Sequence, residues 1–325
     1  MTPVVQGPIR RLAWPLAVLL LTTCLAAAPA TQPGFRVRAT RVPPNVAADL
    51  DVRYGDAAGT ANLLDVYRRK DLGTDPMPAV IWLHGGAWFL GDKVPCRALP
   101  LIDHGFVVAS VNYRLSSSAP YPAQIQDCKG AVRFLRAHAA QYHIDPDRIG
   151  VWGESAGGHL AALLGTSGGA AELEGTVGGN LNQSSRVQAV CDWFGPTDLT
   201  QFTAEATANG HPPGRFDSYI MRAFLGGDPA THMDLVTLAN PLHFLPAGRA
   251  VDVPPFLIMH GDRDRTVPIA QSRLLADALV HGGVPTTFRV VVGLGHGFPT
   301  GREDIGPVTL NFFERTLGRP TAQPW

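Results

Sequence analysis

The chain has 325 residues, 45% of them apolar, with 35 glycines and 28 prolines. That is enough to bury a full core and to join short elements by many turns. Lysine plus arginine and aspartate plus glutamate number 27 each, so there is no net field to hold nucleic acid or an anionic membrane.

In chain order, Arg10 and Arg11 precede an apolar stretch from Leu12 to Leu25, followed by Ala26-Ala27-Ala28-Pro29-Ala30. Small residues at 28 and 30 suit a signal peptidase, so residues 1–30 are expected to be a signal peptide cleaved after Ala30. A stable membrane span is the weaker reading, because the run is about 14 residues and a span needs about 20. The expected destination is the periplasm or the exterior. Leu21-Thr22-Thr23-Cys24 is a lipoprotein box spoiled by Thr23, which leaves anchoring at Cys24 as the secondary reading, and Arg10-Arg11 is a weak twin-arginine signal. Residues 31–49 then form a linker and 50–319 one folded domain, since no internal repeat or low-complexity tract follows residue 35. The mature chain keeps Cys96, Cys128 and Cys191, either as one disulfide with a buried thiol or as three buried thiols. No Cys-x-x-Cys or clustered histidine spacing suggests a metal.

Leu50 to Tyr54 and Leu63 to Tyr67 read as an opening hairpin around Gly55 to Gly59. Short runs rich in Val and Ile follow at Ala79 to Leu83, Phe106 to Val111, Arg148 to Trp152, Val187 to Val190, Pro255 to His260 and Thr287 to Val292, and suit buried parallel strands. Between them, Ala123 to His143 carries Ile125, Cys128, Ala131, Val132 and Leu135 at helical spacing, with Asp145-Pro146-Asp147 as a stop. Pro268 to Val280 starts on a proline and stops before Gly282-Gly283, and Ile305 to Leu317 closes the chain. Strands alternating with such helices mean α/β with a mostly parallel sheet and helices on both faces. Gly168 to Ser185 and Thr200 to Leu245 fit no strand-helix unit and are expected as loops and a small cap.

The chemistry centres on Gly153-Glu154-Ser155-Ala156-Gly157. Gly-x-Ser-x-Gly alone is a weak signal, but here Ile149 to Trp152 leads into Gly153 and His159 to Leu164 continues as helix. That is the strand-turn-helix setting of a nucleophile elbow. Side chains at 153 and 157 would strike neighbouring backbone, while Ser155 is pushed out at the top of the sheet near a helix N-terminus.

A serine hydroxyl needs an oriented base. In the chain order that goes with this elbow, the histidine follows the acid, and only His281 and His296 lie beyond the last plausible acid. His281 ends a helix, where a basic residue satisfies carbonyls. His296, between Gly295 and Gly297 after the last strand, sits where ligand sites collect in open α/β folds and is the preferred base. Asp262 and Asp264 follow the penultimate strand. Asp262 can fix its own turn, so Asp264 is chosen as the orienting acid, with Asp198 as the dissenting candidate. Oxyanion donors, worth about 3 to 4 kcal/mol each, come from Gly85, Gly86 and Ala87 in His84-Gly85-Gly86-Ala87-Trp88 and from the amide of Ala156. Trp88, Tyr113, Trp193 and Phe298 flank these motifs and either line an aromatic-accepting substrate pocket or belong to the core.

With Asn112-Tyr113-Arg114-Leu115, His260-Gly261-Asp262-Arg263-Asp264 and Gly295-His296-Gly297-Phe298 added, the chain from about residue 50 to 317 resembles the esterase and lipase branch of the α/β hydrolases related to hormone-sensitive lipase. Tyr121-Pro122-Ala123-Gln124, Asp145-Pro146-Asp147-Arg148-Ile149 and Asp192-Trp193-Phe194-Gly195-Pro196-Thr197-Asp198 are most similar to bacterial feruloyl and acetyl-xylan esterases. The resemblance implies Ser155, Asp264 and His296 as triad and Gly86, Ala87 and Ala156 as oxyanion amides, with no cofactor and an ester, free or linked to polysaccharide, as substrate. Ala87 departs from the usual third glycine; its N–H survives, so the hole holds unless that position needs positive φ. A general short-chain carboxylesterase or lipase is the alternative. A non-catalytic binding module on the same fold is disfavoured because nucleophile, histidine and hole are all present.

Overall fold

The computed structural model describes residues 42–212, 214–245, 252–299 and 305–318; the expected signal peptide and the linker up to residue 41 lie outside the described residues. The strands are β1 (Val46–Arg53), β2 (Leu63–Arg69), β3 (Met77–Leu83), β4 (Val107–Val111), β5 (Ile144–Glu154), β6 (Ala189–Trp193), β7 (Phe256–Gly261) and β8 (Thr286–Val291). The helices are α1 (Ala123–Ala137), α2 (Ala139–Tyr142), α3 (Ala156–Thr166), α4 (Ala171–Glu174), α5 (Leu199–Ala208), α6 (Arg215–Leu225), α7 (Met233–Leu238), α8 (Ile269–His281) and α9 (Gly306–Leu317).

The strands make one open sheet in the order β1-β2-β4-β3-β5-β6-β7-β8. β1 and β2 are antiparallel to their neighbours, and the remaining strands run parallel. Because side chains alternate along a strand, β3 sends Ala79, Ile81 and Leu83 into one apolar cluster and Val80 and Trp82 into another. The first cluster holds Val132 and Leu135 of α1, Leu160 and Leu164 of α3 and Leu275 of α8, and the second holds Phe312 and Phe313 of α9. Both faces are therefore covered, as near-continuous apolar runs require. Cys96, Cys128 and Cys191 are three buried free thiols. Among the described residues, no helix is long and apolar enough to cross a membrane.

Several boundaries differ from expectation. The first strand begins at Val46, inside the segment expected as linker, because Val46 is buried with Tyr67 against the sheet and pairs with Arg69. The expected helix 123–143 ends at Ala137, resumes briefly as α2, and releases Ile144 to pair with Met77 of β3. Asp145-Pro146-Asp147 is thus an irregularity inside β5 rather than a stop before it. β6 starts two residues late, at Ala189, because the Gln188 amide bonds the Ile149 carbonyl and its side chain receives the Ile149 N–H.

The two stretches expected as loops and cap contain helices that tertiary contacts explain. In 168–185, α4 is held by Glu174, which pairs with the buried Lys129 at 2.8 Å and with Arg133 at 2.9 Å. Burying those cations is tolerable because each meets a carboxylate or carbonyl. Helices α5 to α7 form the cap. The backbone N–H of Tyr121 donates to the Phe224 carbonyl at 2.7 Å, the Tyr121 hydroxyl donates to that of Leu238 at 2.6 Å, and the Phe224 ring stacks 4.2 Å from Trp88. At the cap's other end, the Gln271 side chain of α8 receives the N–H groups of Thr197 and Asp198 and donates to Glu205.

Candidate active site

The sheet brings the site together before any side chain is considered. Leu83 at the end of β3 is paired in register with Gly153 near the end of β5, so the loops leaving the two strands start side by side. The chain runs from β3 outward to β4 and returns past β3 to β5, and the carboxyl ends beside such a reversal are where ligands bind in open α/β sheets. Asp264 follows β7 by three residues and His296 follows β8 by five, on the same edge of the sheet.

Ser155 lies between β5 and α3 with φ 54° and ψ −120°, a backbone conformation that an L-residue occupies only when its surroundings enforce it. The Ser155 amide donates to the Trp193 carbonyl at 2.8 Å, which ties the turn to β6. A Cβ on Gly153 would sit 2.0 Å from the Gly157 carbonyl oxygen, and one on Gly157 would sit 2.2 Å from that of Leu83. Both glycines are therefore required for α3 to pass so close to β3 and β5.

His296 bridges the other two residues: Nε2 lies 2.9 Å from Ser155 Oγ and Nδ1 lies 2.7 Å from Asp264 Oδ2. Asp264 is buried. Its Oδ1 accepts from the amides of Thr266 and Val267 at 2.8 and 2.9 Å, and His260 Nε2 stands 3.2 Å from Oδ2. Burial pushes the Asp264 carboxyl up, but hydrogen bonds from His260 and His296, the charge of His296 and the Val267 amide outweigh it and hold the group well below the usual carboxylate range. Asp264 is thus an anion that fixes the proton of His296 on Nδ1 and leaves Nε2 as an acceptor toward Ser155. His260 is oriented in turn: Nε2 also reaches the Val267 carbonyl at 3.0 Å, and Nδ1 meets the Ser272 hydroxyl at 2.7 Å.

The segment His84–Leu90 lies against the elbow. A Cβ on Gly85 would be 3.1 Å from the Glu154 carbonyl oxygen and 3.3 Å from Ser155 Cβ. Gly86 has φ 106°, Ala87 φ 54° and Trp88 φ 57°, so the position that departs from glycine does stand in the left-handed region. The turn is closed by the amides of Phe89 and Leu90 on the Gly86 carbonyl at 3.0 and 2.8 Å. Ala156 opens α3, and as a first-turn residue its N–H has no partner within the helix.

The other residues singled out from sequence fall elsewhere. Asp262 accepts from the Gly293 amide at 2.6 Å, fixing the turn beneath the histidine loop. Asp198 caps α5 through Thr200 N at 2.9 Å, and His281 ends α8. Trp88, Tyr113, Trp193 and Phe298, expected either to line a pocket or to belong to the core, are all buried and each is held by neighbouring groups of the fold. Tyr113 donates to the His84 carbonyl at 2.8 Å and stacks on its ring, and Trp88 Nε1 donates to His159 Nδ1 at 3.2 Å. Trp193 and Phe298 pack edge to face at 5.0 Å. Sequence reading missed His260, whose place four residues before Asp264 was the available signal. It also missed the ion pair of Glu154 with Arg97, for which no local signal exists. Among the described residues, no group of three or more His, Cys, Asp or Glu side chains is placed to hold a metal ion.

With this geometry in hand, known proteins give a consistent picture. The BD-FAE family model matches residues 64–279. Esterase LipQ of Mycobacterium tuberculosis is 35% identical over 241 residues, covering 73% of this chain and 53% of its own length, so the chain spans about half of that relative. A solved structure described as a truncated form of carbohydrate esterase from gut microbiota superposes with TM-score 0.74 and 34% identity, over 83% of this chain and 96% of that one. A bifunctional GH43-CE protein of Bacteroides eggerthii superposes with TM-score 0.73 and 35% identity, over 83% of this chain and 38% of that one. The chain belongs to the BD-FAE family, a hormone-sensitive-lipase-like group of α/β hydrolases.

Proposed function

We propose that the protein is a serine carboxylic-ester hydrolase that releases feruloyl or acetyl groups from plant polysaccharide through an acyl-enzyme. The observation that carries the chemistry is the continuous relay from Asp264 through His296 to Ser155, at 2.7 and 2.9 Å, with the serine held at the tip of a strained turn. Ser155 Oγ attacks the ester carbonyl carbon while His296 Nε2 takes its proton, and Asp264 balances the imidazolium. The amides of Gly86, Ala87 and Ala156 are the donors for the oxyanion. His296 returns the proton to the leaving alcohol, then deprotonates the water that frees the acid.

Likeness to a carbohydrate esterase supports the polysaccharide-linked substrate. Export after cleavage at Ala30 belongs to the same proposal, since such a polymer is met outside the cell. Likeness to LipQ favours a second reading, a short-chain carboxylesterase or lipase. The chemistry is tested by Ser155→Ala with a short aryl ester, where turnover is expected to vanish; retention of most of it would sink the serine mechanism. Rates on methyl ferulate, acetylated xylan and esters of short and long acyl chains separate the two substrate readings. Preference for simple acyl esters over both plant-derived substrates would favour the second.

A further inference from the structure

We infer that Arg97 is a positioning residue for this chemistry, clamping the nucleophile elbow to the histidine loop and so setting the approach of Ser155 and His296. The inference rests on the serine mechanism proposed above. Arg97 lies in the segment that follows the oxyanion loop, and its guanidinium holds two other parts of the site at once. Its Nε stands 2.8 Å from Glu154 Oε2 as an ion pair, and its Nη1 donates to the Phe298 carbonyl at 2.9 Å. Glu154 immediately precedes Ser155, and Phe298 follows His296 by two residues. One planar group, 201 residues from Phe298 in sequence, thus joins the elbow to the histidine loop. A guanidinium suits this because its charge can lie beside Glu154 while a separate N–H donates to the Phe298 carbonyl, whereas an ammonium is a single point of attachment.

The histidine loop needs such a tie. Gly295 and Gly297 flank His296, and Gly297 has φ 119° with no neighbour that a Cβ would meet. With no side chains at 295 and 297, the loop is held by Asp262 on the Gly293 amide, by the Arg263 amide on the Leu294 carbonyl, by His296 itself on Asp264, and by Phe298, whose ring packs on Trp193 and Phe194 and whose carbonyl meets Arg97. The Glu154 arm is sheltered, with side-chain exposures of 29% for Arg97 and 22% for Glu154, so it is screened less than a surface pair. Burial pushes the Glu154 carboxyl up, and the charges of Arg97 and His296 oppose that. Charged groups around His296 among the described residues thus include Asp264 on its Nδ1 side, itself bonded to His260, and Glu154, whose charge Arg97 balances.

The test compares Arg97→Ala, Arg97→Lys, Glu154→Gln and the Arg97→Ala/Glu154→Gln pair in the full chain. The readouts are kcat and KM on a short aryl ester, the rate of Ser155 labelling by a fluorophosphonate, and the thermal midpoint. Misplacing reacting groups by about 1 Å costs on the order of 100-fold. Arg97→Ala is accordingly expected to lower kcat about 10- to 100-fold with KM within about two-fold, and to slow labelling in parallel. Arg97→Lys should recover only part of the loss, and the double variant should be little worse than Arg97→Ala alone. Unchanged kcat and labelling in Arg97→Ala would overturn the inference, as would a change confined to KM. If Arg97→Ala does not fold, Arg97→Lys decides, because full kcat in it removes the need for the fork. Failure of the serine mechanism itself would appear separately, as absence of labelling in the unaltered protein.

Discussion

Replacing Asp264 by Asn tests the relay at the residue on which it turns. In the native site the carboxylate accepts from Thr266 N at 2.8 Å, Val267 N at 2.9 Å, His296 Nδ1 at 2.7 Å and His260 Nε2 at 3.2 Å. An amide offers one oxygen and one NH2. If the oxygen stays with the two backbone amides, the NH2 faces His296 Nδ1, which must become an acceptor and move its proton to Nε2. That nitrogen then donates to Ser155 and cannot deprotonate it. The expected loss in kcat is about 10⁴-fold, or about 5.5 kcal/mol of transition-state stabilisation. His260 keeps the Val267 carbonyl as an acceptor, so folding stability should fall by only about 1 to 3 kcal/mol. Steady-state hydrolysis of an aryl ester reads the first quantity and denaturant unfolding the second. Asp262→Asn and Asp198→Asn are controls, expected to hold kcat within about three-fold because the Asn oxygen can still accept from the Gly293 and Thr200 amides. The reasoning is refuted if Asp264→Asn keeps more than about a tenth of native kcat or if either control loses as much.

Ala87→Gly should relieve about 1 to 2 kcal/mol of left-handed strain, against about 0.5 to 1 kcal/mol for the freer unfolded chain. Chemical denaturation should therefore show unchanged or slightly raised stability with kcat preserved; a clear loss would mean that the methyl group packs productively. Gly157→Ala should destabilise the fold by more than about 3 kcal/mol or prevent it from forming, since its Cβ would lie 2.2 Å from a backbone oxygen. A soluble variant with a native melting curve would contradict the close approach. Burial pushes the His159 imidazole from its ordinary 6.5 down to about 4. The unfolded chain takes up that proton first as pH falls, so stability is lost below about 6.5 and the loss levels off near 4, about 3 kcal/mol in all. Urea midpoints measured across that range should drop less steeply in His159→Asn; an unchanged slope would show that His159 is not the group responsible.

The elbow was legible in sequence because its requirements are local. An apolar strand, glycines two residues either side of a serine, and a helical run are all contiguous in residues 149–164, and the steric need for Gly153 and Gly157 follows from the turn alone. The placing of Asp264 and His296 near it rested on strand order, which periodicity also exposes. What sequence could not carry were partnerships closed by the fold. Arg97 meets Glu154 and Phe298 only after β5, β8 and the segment between β3 and β4 converge. The cap helices have few buried residues of their own and are held by distant groups such as Tyr121 and Gln271, so their pattern was too faint to separate from loop. Trp88, Tyr113, Trp193 and Phe298 illustrate another limit: an aromatic beside a catalytic motif has the same letter whether it faces a ligand or braces the loop from behind. Resemblance carried the family, while the expected export signal concerns residues outside those described.

The bonds that join Trp88 to His159 and His159 to the Ala239 carbonyl, at 3.2 and 2.7 Å, make the cap a poor candidate for exchange as a separate module. One neutral imidazole accepts from the His84–Leu90 loop and donates to the segment just after α7, while the Phe224 ring of α6 lies on Trp88. A foreign cap grafted between residues 199 and 245 would have to reproduce a carbonyl and a ring in those places or leave a buried nitrogen without an acceptor. Redesign of substrate preference is therefore better directed at solvent-facing cap positions, such as the exposed Tyr219 beside Phe89, than at replacement of the cap as a whole.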